Sequence, residues 1–254
     1  MCIFASSVAD VAGTSILVAR AGTSQLTVYQ MTVELERGRP NAMILPVPGQ
    51  VESLVDLSAV PTLFSDLSEL FAESSRGLKF LSNDAVAAGT LKVHDVGDYK
   101  VSIVPSVKDL TRLDLNIFEL SPRTRSICKV YYKTGFSFVV AVLRRGGTIH
   151  PLGYTHPLLP GGLFVPTRHE HGEAGPPGSL PVWDHEIYFQ GPARAPSRPI
   201  RSGPETYRQA TAGPTLLELR RAAPVLKPYL RFEEPVSRLS YYGRYENRDL
   251  HLKV

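Results

Sequence analysis

The sequence predicts an α+β fold: an antiparallel-rich sheet with one or two packed helices and a long Pro/Gly-rich loop layer. Three observations predict it. Several short segments alternate apolar and polar residues and are rich in Val, Thr and Tyr. One segment repeats its apolar residues at helical spacing. A late stretch is crowded with Pro and Gly. With 254 residues, 43% of them hydrophobic, the chain can bury a sizeable core.

Residues 13–20 (GTSILVAR) and 24–35 (SQLTVYQMTVEL) read as two strands, and Ala21-Gly22-Thr23 suggests a short hairpin turn between them. Residues 41–48 (NAMILPVP) read as a third strand. Pro46 and Pro48 have no N–H to donate, so the end of this strand is expected at an edge or outside the ladder. This opening is a meander with no glycine-rich phosphate loop, which argues against a nucleotide-binding βαβ unit. In 60–74, Val60, Leu63, Phe64, Leu67, Leu70 and Phe71 fall on one helical face. Residues 96–106 read as a strand, and 106–113 as a short helix capped by Ser106. The unbroken apolar run Phe136 to Leu143 suggests a strand buried on both faces.

From Gly146 the texture changes. Residues 146–172 hold four prolines and six glycines, so a rigid, irregular loop layer is expected, with strand-like scraps at 149–153 and 162–166. Residues 182–189 (VWDHEIYF) read as a return strand, and 215–230 as a short helix broken at Pro224. The expected organisation is a β-rich α+β domain over 1–190, a linker over 191–214 and a basic C-terminal extension over 215–254. Residues 192–254 carry 12 basic and 6 acidic side chains, against 16 and 18 before them. A basic end suits an acidic partner or a solvated extension. Its aromatic residues (Tyr229, Phe232, Tyr241, Tyr242, Tyr245) are interrupted by Glu233, Glu234, Glu246 and Asp249, so a nucleic-acid surface is not expected. No stretch of about eighteen apolar residues is present, so no membrane span is expected. The opening MCIFASSVADVAGTS has no basic run and meets Asp10 early, which is unlike a signal peptide, and a cytoplasmic address is expected.

Several segments together resemble a bacterial family of uncharacterised proteins, domain of unknown function 2330. They are Ala42-Met43-Ile44-Leu45-Pro46-Val47-Pro48, Val96-Gly97-Asp98-Tyr99, Gly135-Phe136-Ser137-Phe138-Val139-Val140 and Leu163-Phe164-Val165-Pro166. The resemblance spans roughly residues 1–168. It implies export and extra early cysteines, whereas this chain has Cys2 alone near its start. The family carries no established activity, so no catalytic residue transfers from it.

Three functional readings stand side by side. In the first, His169, His171 and His185 with Asp184 bind a metal ion. His169 and His171 flank one residue and would share a face on a strand; His185 would fold back across the Gly/Pro-rich link. Zinc accepts such a His and carboxylate set, and Glu170 or Glu186 would take a proton from metal-bound water in a hydrolase. The plainer account of the same residues is a polar loop whose histidines bond locally, in a non-enzymatic binding or structural module that engages a small molecule or a protein. In the third reading Cys2 acts as a terminal nucleophile of an amidohydrolase, its own amine assisting the thiol. The strand pair at 13–35 is similar to the start of N-terminal-nucleophile hydrolases, and Arg20 matches the arginine of their bile-salt-hydrolase branch. Against that, Cys2 beside Ile3 and Phe4 suits a small buried apolar residue. His150 and His156 are expected to brace proline turns, and Cys128, Trp183, Tyr188 and Phe189 to pack.

Overall fold

The alternating segments form strands, which in chain order are β1 (Ile3–Phe4), β2 (Asp10–Ala21), β3 (Ser24–Glu34), β4 (Asn41–Pro48), β5 (Ser53–Asp56), β6 (Val93–Val96), β7 (Tyr99–Val104) and β8 (Phe136–Leu143). They continue with β9 (Gly147–Thr148), β10 (Leu152–Pro157), β11 (Leu163–Val165), β12 (Val182–Gln190), β13 (Arg194–Pro196), β14 (Tyr207–Thr215), β15 (Pro235–Arg244) and β16 (Leu250–Lys253). Helices α1 (Leu63–Glu73), α2 (Pro122–Cys128) and α3 (Leu219–Ala222) are joined by 3-10 turns at Val107–Arg112, Lys129–Thr134 and Pro224–Leu226. The structure is a computed structural model that describes residues 3–36, 41–73, 93–97, 99–113, 120–168, 179–191, 194–196, 202–204 and 206–253.

The strands build three sheets. A five-stranded sheet runs β1-β4-β8-β7-β6, an eight-stranded sheet runs β14-β15-β12-β2-β3-β10-β5 with β9 paired to β3, and a small sheet runs β11-β16-β13. The pairings are antiparallel except β12 on β2. This is a mixed α+β fold with a few packed helices and predominantly antiparallel sheets.

The two large sheets face one another across the main core. Met43, Leu45, Val139 and Ala141 come from one side, and Ile16, Val18, Tyr29, Met31, Trp183 and Ile187 from the other. Alternation sends the remaining strand residues outward to two further cores. On the outer side of the eight-stranded sheet, Leu17, Val28 and Tyr188 meet Leu63, Phe64, Leu67, Leu70 and Phe71 of α1. That is the apolar stripe expected of 60–74, less Val60, which precedes the helix. Each such side chain contributes about 1.5–3 kcal/mol of burial, as an upper estimate. On the outer side of the five-stranded sheet, Ile44, Phe138, Val140 and Val142 meet Leu110, Cys128 and Tyr131. The run Phe136–Leu143 is continuous because helical layers and a second sheet cover both its faces.

The hairpin at Gly22-Thr23 forms as expected, with Gly22 at φ 66°. Strand β4 keeps its prolines at a half-covered end. β1 reaches only Met43 and Ile44, and beyond them β4 is paired on the β8 side, Pro46 opposite Phe138. Ser106 precedes the 3-10 turn but does not accept from its backbone. Its hydroxyl donates to Asp109 Oδ2 at 2.7 Å instead. Residues 152–157, placed in a loop layer by their prolines and glycines, form interior strand β10 between β3 and β5. Leu152, Tyr154 and His156 alternate into the protein there, and the flanking Pro151 and Pro157 do not prevent it. The basic C-terminal residues add β14 and β15 to the eight-stranded sheet and β16 to the small one.

Candidate functional site

Strand β12 carries the described half of the His and carboxylate cluster. His185 is fully buried and packs flat on Trp183, ring centroids 4.9 Å apart, within the main core. Asp184 and Glu186 project from the opposite face, because strand side chains alternate. The Asp184 carboxylate accepts from the Gly13 N–H at 2.5 Å and lies 3.6 Å from His185 Nδ1. The Glu186 carboxylate is held by three partners. Tyr242 Oη donates to it at 2.6 Å, Ser240 Oγ at 2.8 Å, and the Arg238 guanidinium lies 3.5 Å away. Burial raises the pKa of Tyr242, and the Glu186 hydrogen bond and charge raise it further. The phenol therefore stays a donor. His169, Glu170 and His171 lie outside the described residues, as does Cys2. Among the described residues no group of three or more His, Cys, Asp or Glu side chains could hold a metal ion.

Arg20, on β2, donates from Nε to the Gly22 carbonyl at 3.0 Å, across its own hairpin. Cys128 is buried in the outer core of the five-stranded sheet. His150 and His156 brace prolines as expected, with Nδ1 3.0 Å from the Pro151 carbonyl and 2.9 Å from the Pro157 carbonyl. Burial lowers the pKa of His156 and outweighs its Pro157 bond and the Glu52 charge, which raise it.

Sequence reasoning missed a cavity of about 720 Å³ where β7 and the end of β8 meet β3 and the chain after Asp56. The Tyr99 ring stands 4.2 Å from that of His150, and Tyr99 Oη donates to the His150 carbonyl at 2.5 Å. Lys100 and Asp95 pair at 3.4 Å on the rim, beside Arg144 and Arg145. Gly97 makes the wall possible. It sits at φ 56°, and a Cβ there would fall 2.5 Å from His150 Nε2. The signal was in Val96-Gly97-Asp98-Tyr99, but the spacing gives no hint that His150, 51 residues beyond Tyr99, completes the wall.

No protein-family model matches the chain. Two solved structures align with it over nearly its whole length. The crystal structure of baculovirus P35 aligns at a TM-score of 0.51 with 12% sequence identity, over 96% of this chain and 97% of that one. The crystal structure of the caspase-8/P35 complex aligns at a TM-score of 0.48 with 11% identity, over 96% of both chains. At such identities the likeness concerns the fold.

Proposed function

We propose that the protein is a non-enzymatic binding module whose ligand is another protein. The observation that carries this reading is the fold shared with P35 over 96% of the chain. P35 forms a complex with caspase-8, which makes caspase-8 the first partner to test. The described part of the His and carboxylate cluster supports the same reading. His185 is fully buried, and the Glu186 carboxylate is already taken by Tyr242, Ser240 and Arg238. A base that abstracts a proton from water needs a free lone pair aimed at that water.

The test is native mass spectrometry and elemental analysis on the full chain purified without an affinity tag. A long-lived complex of fixed stoichiometry with a purified protein partner is expected. One equivalent of zinc, lost in H169A/H171A together with a hydrolytic activity, would replace this reading. The function would then be the metal-dependent hydrolase with His169, His171, His185 and Asp184 as ligands and Glu170 or Glu186 as base. A reactive terminal thiol at Cys2, with Met1 removed, would replace it by the amidohydrolase.

A further inference from the structure

The eight-stranded sheet ends in two unlike edges. At one end β5 offers four residues, Ser53–Asp56, including an acidic side chain. At the other, β14 offers nine, and among the described residues no strand pairs with its outer side. An uncovered strand presents unpaired N–H and C=O groups and is a template for another strand. Proteins that avoid this use prolines, bulges or charges pointing inward. In β14 the proline and the register shift both fall late, at Pro214 and between Ala212 and Thr215. Residues Tyr207–Ala212 stay in regular register with Ser237–Tyr242 of β15, and five of the six are exposed.

The late half of β14 is fixed from behind. Phe71 of α1 packs so close to Gly213 that a Cβ there would fall 2.4 Å from the ring. The Arg238 guanidinium covers the same ring at 4.7 Å. Among the described residues the early half is paired with β15 alone, leaving its other side to a strand alongside.

The charged side chains of the two strands at this edge are all basic. β14 and β15 carry Arg208, Arg238 and Arg244 and no acidic residue. The first carboxylates inward are Asp184 and Glu186 on β12, Asp184 accepting from the Gly13 N–H and Glu186 shared among Arg238, Ser240 and Tyr242. Two half-exposed tyrosines, Tyr207 and Tyr242, lie side by side at the open end with ring centroids 6.2 Å apart. Tyrosine and arginine are the residues that most often anchor protein interfaces.

We propose that Tyr207–Ala212 is a docking edge for an extended acidic segment of a partner protein, which adds to the eight-stranded sheet as a further strand. This rests on the binding-module reading and names the partner's chemistry. Backbone bonds to β14 hold the segment, and the carboxylates on one of its faces meet Arg208. Specificity comes from the acidic side chains, since the backbone bonds are common to any extended peptide.

The experiment uses the full chain and labelled eight-residue peptides of alternating Glu and Val, or alternating Lys and Val. Fluorescence anisotropy should give saturable binding of the Glu peptide at least tenfold tighter than the Lys peptide. Methylating alternate amides of the Glu peptide in one register should abolish binding, and in the other should leave it. R208E, at an exposed residue whose guanidinium also lies over the buried Tyr241 ring, should weaken the Glu peptide about threefold to fivefold. Hydrogen exchange should slow across 207–212 on binding and stay unchanged at 53–56. Equal binding of both peptides, indifference to either methylation, or protection elsewhere would overturn the proposal. So would a peptide-free dimer with 207–212 already protected, since the occupant would then be a second copy of this chain. A native complex whose protected surface lies away from β14 would end this inference and leave the binding-module reading intact. Peptide addition at β14 by a chain that proves to hydrolyse its ligand through zinc would do the reverse.

Discussion

The two faces of the eight-stranded sheet are made by the same strands and behave as different media. Along β12, Trp183, His185, Ile187 and Phe189 are sealed against the five-stranded sheet, with Tyr241 and Tyr245 of the C-terminal region packed on Trp183 at 5.6 and 5.7 Å. One residue over, Asp184 and Glu186 stand among Gly13, Ser240, Tyr242 and Arg238. Within the Asp184-His185-Glu186 tripeptide the imidazole faces the core, with Nδ1 3.6 Å from Asp184 Oδ1, and the Glu186 carboxylate makes cross-strand bonds.

The difference can be broken from the inner side first. W183A should cost about 3–5 kcal/mol, since it leaves a cavity among buried rings, and denaturant unfolding measures it. L67A, which strips α1 from the outer face further along the same sheet, should cost about 2–5 kcal/mol by the same measurement. The polar part of the outer face should be more forgiving. E186Q keeps the shape but weakens two charge-assisted bonds, and about 1–2 kcal/mol is expected after allowance for its partial exposure. If E186Q proved as damaging as W183A, the two faces would not differ as described.

The smallest effect is one of pH. His156, buried on the inner face beside Tyr154, has a pKa below its unfolded value of 6.5, because burial disfavours the imidazolium. The folded state then binds fewer protons than the unfolded chain. Stability is fully present above pH 6.5 and declines as pH falls through the folded pKa. H156Q should flatten that part of a stability profile recorded between pH 7 and 4.5, and a profile unchanged by the substitution would show that another group sets the slope.

Much of the secondary structure was legible. The hairpin at Gly22, the stripe of α1, the run Phe136–Leu143 and the strand over 182–189 all follow from local periodicity, which the backbone imposes within a few residues. The site was legible only as composition. Asp184, His185 and Glu186 are adjacent in sequence, yet their faces are fixed by which side of β12 the second sheet covers. Tyr99 and His150 gave no sign of forming one wall, because their meeting needs β7 and the chain before β10 to approach across two sheets.

The sequence by itself determined which segments extend, which one coils, and where the chain must turn, since those depend on side-chain period, proline and glycine acting on their own backbone. Only the tertiary structure decided the partners. It set β12 parallel to β2, placed LGYTHP inside a sheet despite its flanking prolines, and set the basic β14 at the rim, with one side unpaired among the described residues. Strand pairing depends on burying apolar faces contributed by segments far apart in the chain, and no local pattern records which distant segment will supply the other face.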